Sequence, residues 1–240
     1  MRNSLEKNVD RNIVCLKWGD KYSAQYVNVL YNMCKRHSTL PFNFICLTEN
    51  NYGIDENIKT IQLPSIPVQG WWYKTYVFSK DLGLKGDVLF LDLDLIVYDN
   101  LEKLWGYSYN EFAIIRDFTR SMNPGWSKFN SSVFRFRAKE YYWIWEDFQN
   151  NYKTIVTKNH GDQDHLYNLL VGKAVFWPDE WIKSYKWEMR TKQELAVING
   201  KRNFTTVKDP ALPPNCCIAV FHGDPNPHAV KDPWVVANWK

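Results

Sequence analysis

Two aspartates stand two apart in LFLDLDLIVY, residues Leu89 to Tyr98, with apolar side chains at nearly every other position. In a strand, alternate residues project the same way, so Asp92 and Asp94 are expected to leave one face together at the carboxyl end of a buried strand. Like charges so close repel. A buried carboxylate without a partner is costly or takes up a proton, so the pair calls for a cation, and a divalent metal with oxygen ligands suits it. The plainer alternative is that both cap a strand end and face water; the apolar flanks favour the metal. Four further stretches stand out beside the aspartates: WWYKTY with Lys74, FNSSVF with Asn130, HGDQDHL with Asp162, Gln163 and Asp164, and VFHGDPNPH with His222 and Gly223. Lys74 sits between aromatics ahead of the aspartates, where it would neutralise phosphate; a solvated helix lysine is the alternative. Asp162 opens a helical pattern and would serve as an N-cap, worth about 1 kcal/mol. A lone His is more often structural than a ligand, but His222 ends an apolar strand pattern beside Gly223.

The elements that must position these groups follow from periodicity. NIVCLKW reads as a first buried strand, a segment from about Tyr22 to His37 as an amphipathic helix, FNFICLT and IKTIQL as two more strands. Pro64 and Pro67 break the chain before a helical stretch from Gly70 to Gly83, and the aspartate strand comes next. EFAIIRD and NSSVFRF read as strands, AKEYYWIWEDFQNNY and DQDHLYNLLV as helices, KAVFWPDEW and CCIAVFHGD as late strands. Between Lys183 and Leu212 the pattern is weak and fits a loop with a hairpin. The alternation of strands and helices predicts a mostly parallel α/β sheet, with ligands gathering at the carboxyl ends of its strands.

Composition narrows the partners. A formal net charge of +4 over 240 residues, without long Lys/Arg blocks, argues against nucleic acid and leaves a phosphate-bearing small molecule as a sufficient anion. Five cysteines with no CxxC pair speak against a zinc knuckle and a disulfide framework, and so for a reducing compartment. The opening MRNSLEKNVDRN lacks the apolar core of a secretory leader, and no run reaches membrane-span length. The expected location is the cytoplasm, with peripheral docking on a membrane left open. Aromatic residues make up 16% of the chain, with 12 Trp, which serve equally for sugar stacking and for core. Trp143, Trp145, Trp177 and Trp181 are the candidates for a saccharide groove.

In this order and spacing the five stretches resemble the GT-A nucleotide-sugar glycosyltransferases, most of all the retaining enzymes of the glycogenin-like and lipopolysaccharide-galactosyltransferase-like family. The resemblance runs from the first strand to about Trp234. It implies a single Rossmann-like GT-A domain over residues 1–240, a mostly parallel sheet flanked by helices, moving a hexose from a nucleoside-diphosphate sugar to a saccharide or glycan acceptor with retention. It implies uracil as the base. Carried over residue by residue, Asp92 and Asp94 would bind a divalent metal, Mn²⁺ or Mg²⁺, with Asp92 also facing the ribose. Lys74 would contact phosphate or sugar and Asn130 the donor sugar; Asp162 would grip donor hydroxyls, with Gln163 near the anomeric carbon and Asp164 beside them. Lys17, Trp18 and Tyr22 would lie near the nucleotide. The last motif departs from the family's His-Phe-x-Gly-x-x-Lys-Pro-Trp: aligned on Gly223 and Pro227, the family's His falls on Val220 and its Lys on Asn226. His222, on the same face of an extended strand as position 220, would then supply the third metal ligand, and Lys231 or His228 would replace the lysine.

Two other classes fit parts of the sequence. LDLDLI resembles the loop of haloacid-dehalogenase-type phosphatases, with Asp92 as nucleophile and Asp94 as acid/base. Against it, the motif comes late, and position 96 is Ile. A catalytically inactive carbohydrate-binding protein would keep the aromatics, yet it has no need of a metal pair.

Overall fold

The computed structural model describes residues 10–189, 193–198, 201–206 and 212–240. Its first half sets β1 (Arg11–Lys17), α1 (Ala24–Arg36), β2 (Asn43–Thr48), β3 (Lys59–Gln62), β4 (Asp87–Leu91) and β5 (Leu95–Val97) in turn. Then come α2 (Glu102–Gly106), β6 (Ala113–Arg116), β7 (Phe129–Arg137), α3 (Tyr142–Lys158), α4 (Asp162–Leu170), β8 (Val175–Phe176) and β9 (Ile182–Ser184). A hairpin of β10 (Gln193–Ile198) and β11 (Lys201–Thr206) precedes β12 (Ile218–Val220) and α5 (Pro233–Asn238). Seven strands form the main sheet in the order β3-β2-β1-β4-β7-β6-β8. All neighbouring pairs are parallel except those that β7 makes with β4 and β6.

Strand alternation divides the core between the two faces. Ile13 and Cys15 of β1 pack with Val27, Leu30 and Met33 of α1, while Val14 and Leu16 look the other way, toward Trp72, Phe78 and Phe148. Each such side chain, fully buried, contributes ~1.5–3 kcal/mol, so the two layers fix which residues of a strand can reach its end. Gly86 starts β4 at φ 72, and any Cβ there would collide with the backbone of Asp10, whose carbonyl accepts from the Asp87 amide.

The aspartate stretch is two strands rather than one. Pairing with β7 stops at Leu91, and the chain crosses at Asp92–Asp94 into a second, three-stranded sheet of β5, β12 and β9. The Asp92 amide still donates to Ser132 O at 2.9 Å, and Asp94 O accepts from the Phe221 amide at 2.9 Å. Asp92 and Asp94 therefore occupy the joint between two sheets, each anchored by its backbone to a different one. An unbroken apolar run hides this switch because both strands are buried. The helical stretch from Gly70 is also divided, into 3₁₀ turns at Gly70–Phe78 and Lys80–Leu82. Ser79 separates them in an extended conformation (φ −70, ψ 136), its hydroxyl accepting from the Asp81 amide.

Candidate donor and metal site

At the joint, three carboxylates surround one lysine. Lys74 reaches across from its 3₁₀ turn to place Nζ 2.9 Å from Asp92 Oδ1 and 3.5 Å from Asp162 Oδ2. It also donates to Ser131 Oγ at 3.1 Å, and Ser131 Oγ in turn donates to Asp162 Oδ2 at 2.6 Å. Asp94 Oδ2 accepts from the Tyr22 hydroxyl at 2.9 Å. All of these groups except Asp92 and Tyr22 are buried. Burial opposes the Lys74 ammonium, but Asp162 and then Asp92 outweigh it, and its pKa rises. Asp92 moves up as well, driven by burial against the pull of Lys74, with Asp94 and Asp162 adding repulsion. One ammonium against three carboxylates leaves a formal excess of two negative charges.

That excess is a test of whether a metal fits. Two carboxylates on a short, backbone-anchored turn match a hard dication that completes its shell with phosphate oxygens and water. Among the described residues no three His, Cys, Asp or Glu side chains cluster tightly enough to cage a metal on their own. His222 lies at the end of β12 but out of strand conformation, at φ 26, so the shared-face relation with position 220 does not hold. Its Nε2 is 2.6 Å from Ser184 Oγ, its ring stacks on Phe118, and Trp187 meets it edge-on. Burial and then Lys186 push its pKa down to about 4, so the ring is neutral near pH 7. Asp94 acts on it from nearby in the opposite sense. Gly223 follows at φ 93.

The other expected residues fall into place unevenly. Trp18, Tyr22, Lys74, Asp92 and Asp94 line one cavity of about 170 Å³, together with Leu16, Lys21, Trp71 and Leu93. Lys17 is buried and absent from that lining; strand period sets it on the Cys15 face, away from Leu16. Asn130 turns its Oδ1 back onto the Ser132 amide at 3.1 Å. Asp162 is not an N-cap: Gly161 takes that position, and the Asp162 carboxylate goes to Lys74 and Ser131. Gln163 is half-buried beside it, and Asp164 accepts from the His160 amide at 3.3 Å. Trp145 and Trp177 belong to the core, as does Trp72, whereas Trp71 and Trp143 are exposed. Tyr22 is the residue expected near the nucleotide, but that its hydroxyl orients Asp94, and that of Ser131 orients Asp162, had no signal in spacing or residue type.

Beyond Trp18 lies a second pocket of about 510 Å³ at the carboxyl ends of β1 to β3. Glu49, Gln62, Leu63, Pro64, Val68 and Tyr73 contribute to it.

No protein-family profile and no curated protein matches this chain. Solved structures do. An active-site mutant of LgtC superposes over 92% of this chain and 91% of its own, with 16% identity and a TM-score of 0.65. The galactosyltransferase LgtC in complex with donor and acceptor sugar analogs gives 18% identity and a TM-score of 0.61 over 92% of this chain and 90% of that one. The glycosyltransferase GlyE of Streptococcus pneumoniae TIGR4 covers 72% of this chain and 47% of its own, at 19% identity and a TM-score of 0.55. At these identities the likeness shows the fold, which is the GT-A fold of these glycosyltransferases.

Proposed function

We propose that this protein is a divalent-metal-dependent hexosyltransferase that takes the sugar of a UDP-sugar and joins it, with retention, to a hydroxyl of a glycan acceptor. The observation that carries the reading is the gathering of Asp92, Asp94 and Asp162 around Lys74 at the strand ends, with two negative charges left over. In this reading Asp92 and Asp94 hold the cation, with Asp92 also facing the ribose; His222 would have to turn from Ser184 to join them. When bound, Mn²⁺ or Mg²⁺ stabilises the negative charge that grows on the departing diphosphate. Lys74 aligns Asp92 with Asp162 and adds positive charge beside the phosphates. Asp162, held by Ser131 and Lys74, accepts hydroxyls of the donor sugar, which Asn130 also faces, while Gln163 stands by the anomeric carbon. Asp164 supports the same turn from the backbone of His160. Trp18 and Tyr22 flank the nucleotide, whose uracil and ribose extend into the pocket beyond Trp18.

The bond from the anomeric carbon to the phosphate oxygen breaks as the bond to the acceptor oxygen forms on the same face, and the acceptor proton passes to the leaving phosphate. The engagement of the candidate acids favours this route: Asp117 accepts from the Thr119 amide at 3.0 Å, Asp164 from the His160 amide, and Asp179 is ion-paired to Arg116 and Arg120. Among the described residues no helix is long and apolar enough to cross a membrane. Incubation with a panel of UDP-hexoses and Mn²⁺, followed by NMR of the released sugar, tests the proposal. Metal-dependent release with retained anomeric configuration is expected; inverted product, or no turnover of any nucleoside-diphosphate sugar, would overturn it.

A further inference from the structure

Among the described residues, Trp18 is the one aromatic side chain that lines both the cavity at Asp92 and Asp94 and the pocket at the ends of β1 to β3. Its placement is set by a residue with no side chain. A Cβ at Gly70 would lie inside the Trp18 indole, against the atoms of the ring fusion, so the ring rests directly on the Gly70 backbone. Gly70 is not needed for backbone freedom: no positive φ is recorded for it, and it simply begins the 3₁₀ turn that carries Trp71 and Lys74. Trp71 then meets Trp18 edge-on, with centroids 6.3 Å apart and planes at 68°. The same turn thus delivers the lysine to the carboxylates and the seat to the indole.

We infer that Gly70 is a specificity-determining residue that acts through Trp18: it keeps the indole low enough for a nucleoside to pass from the diphosphate cavity into the neighbouring pocket. This rests on the proposed use of a nucleotide-sugar donor. A ligand anchored by its diphosphate at Asp92 and Asp94 must run beside Trp18 to place its base in the larger pocket, whose apolar walls and polar Gln62 and Glu49 suit a planar heterocycle. A methyl group at position 70 has to displace the ring, since the backbone beneath it belongs to a turn packed on Phe148 through Trp72. Raised, the indole intrudes on the nucleoside path, while the ion pairs of Lys74 with Asp92 and Asp162 do not involve it.

The experiment compares UDP with inorganic pyrophosphate, each titrated with Mn²⁺ present into wild type, Gly70→Ala, Trp18→Ala and the double variant. Gly70→Ala is expected to weaken UDP by about tenfold or more, a loss of about 1.4 kcal/mol, while pyrophosphate affinity stays within about twofold. The double variant is expected to bind UDP no worse than Trp18→Ala alone, because without the indole the new methyl has nothing to displace; it also covers the case in which Gly70→Ala fails to fold. Equal loss for both ligands, unchanged UDP affinity, or additive losses in the double variant would overturn the inference and leave the proposed function standing. Wild type that binds neither ligand with metal would overturn both.

Discussion

Two ionic networks lie within this fold, each centred on a buried cation, and their charge balance separates them. Around β6 and the turn after β9, Arg120 bridges Glu188 at 3.0 Å and Asp179 at 3.2 Å, Arg116 also pairs with Asp179, and Lys183 stands 3.7 Å from Glu188. The Arg120 guanidinium donates further to Ile182 O at 2.9 Å and to Asp179 O. Three cations meet two carboxylates, and backbone carbonyls take up what is left. Around Lys74 the ratio is reversed, one cation to three carboxylates, and no backbone amide donates to the Asp162 or Asp94 side chains among the hydrogen bonds described. The first network is complete in itself and fixes the segment that carries Ser184, the hydrogen-bond partner of His222. The second is short of positive charge, as the proposed binding of a dication there would require.

Substitutions can break or sharpen this contrast. The largest structural effect is expected from Arg120→Met, which removes the buried guanidinium bridging Asp179 and Glu188 and leaves them only Arg116 and Lys183 as ion-pair partners. It should cost about 3 kcal/mol of stability, read by urea denaturation, with no recovery on adding Mn²⁺. Lys74→Met should destabilise by a smaller margin, about 1–3 kcal/mol, because Asp92 can take up a proton; here Mn²⁺ should restore thermal stability beyond its effect on wild type. Equal responses of the two variants to Mn²⁺ would erase the distinction.

The pH dependence of His222 follows with its sign. The folded ring titrates at about 4, and the unfolded one near pH ~6.5. The unfolded chain therefore binds the extra proton between these values, so stability present above pH ~6.5 is lost as the pH falls toward about 4. His222→Gln should flatten melting temperature against pH across that window; an unchanged slope would mean that the ring is charged in the folded protein.

The smallest effect concerns Asp87, buried at the amino end of β4 with Oδ1 unpartnered and its pKa raised by burial. A raised folded pKa means that stability declines as the pH climbs through the range between the unfolded and folded values. Asp87→Asn should therefore stabilise by about 1 kcal/mol at neutral pH and lose that advantage in acid, as paired melts at pH 7 and pH 3.5 would reveal.

Sequence made the acidic pair, the helix of Asp162 and the strand order of the first half legible, because apolar periodicity and charge within an apolar run are local signals. Gly161 took the cap from Asp162 because the cap depends on the backbone turn entering α4, while the Asp162 carboxylate was claimed by Ser131, 31 positions away. The crossing at Asp92–Asp94 was hidden for a similar reason: its partners, β7 and β12, come much later in the chain. The strand-like reading of His222 failed where a left-handed residue ended β12. Residue type pointed to Lys74 as a phosphate contact; only the fold disclosed that it ties two of the acidic motifs together.

Calorimetric titration of the purified protein with UDP, with and without Mn²⁺, tests the central claim most directly, with Asp94→Ala alongside. Binding that appears only with metal and vanishes in Asp94→Ala, with its circular dichroism unchanged, is the predicted result. Binding of equal strength with and without metal, or retained by Asp94→Ala, would contradict the account of the charge-deficient cluster as a metal and diphosphate site.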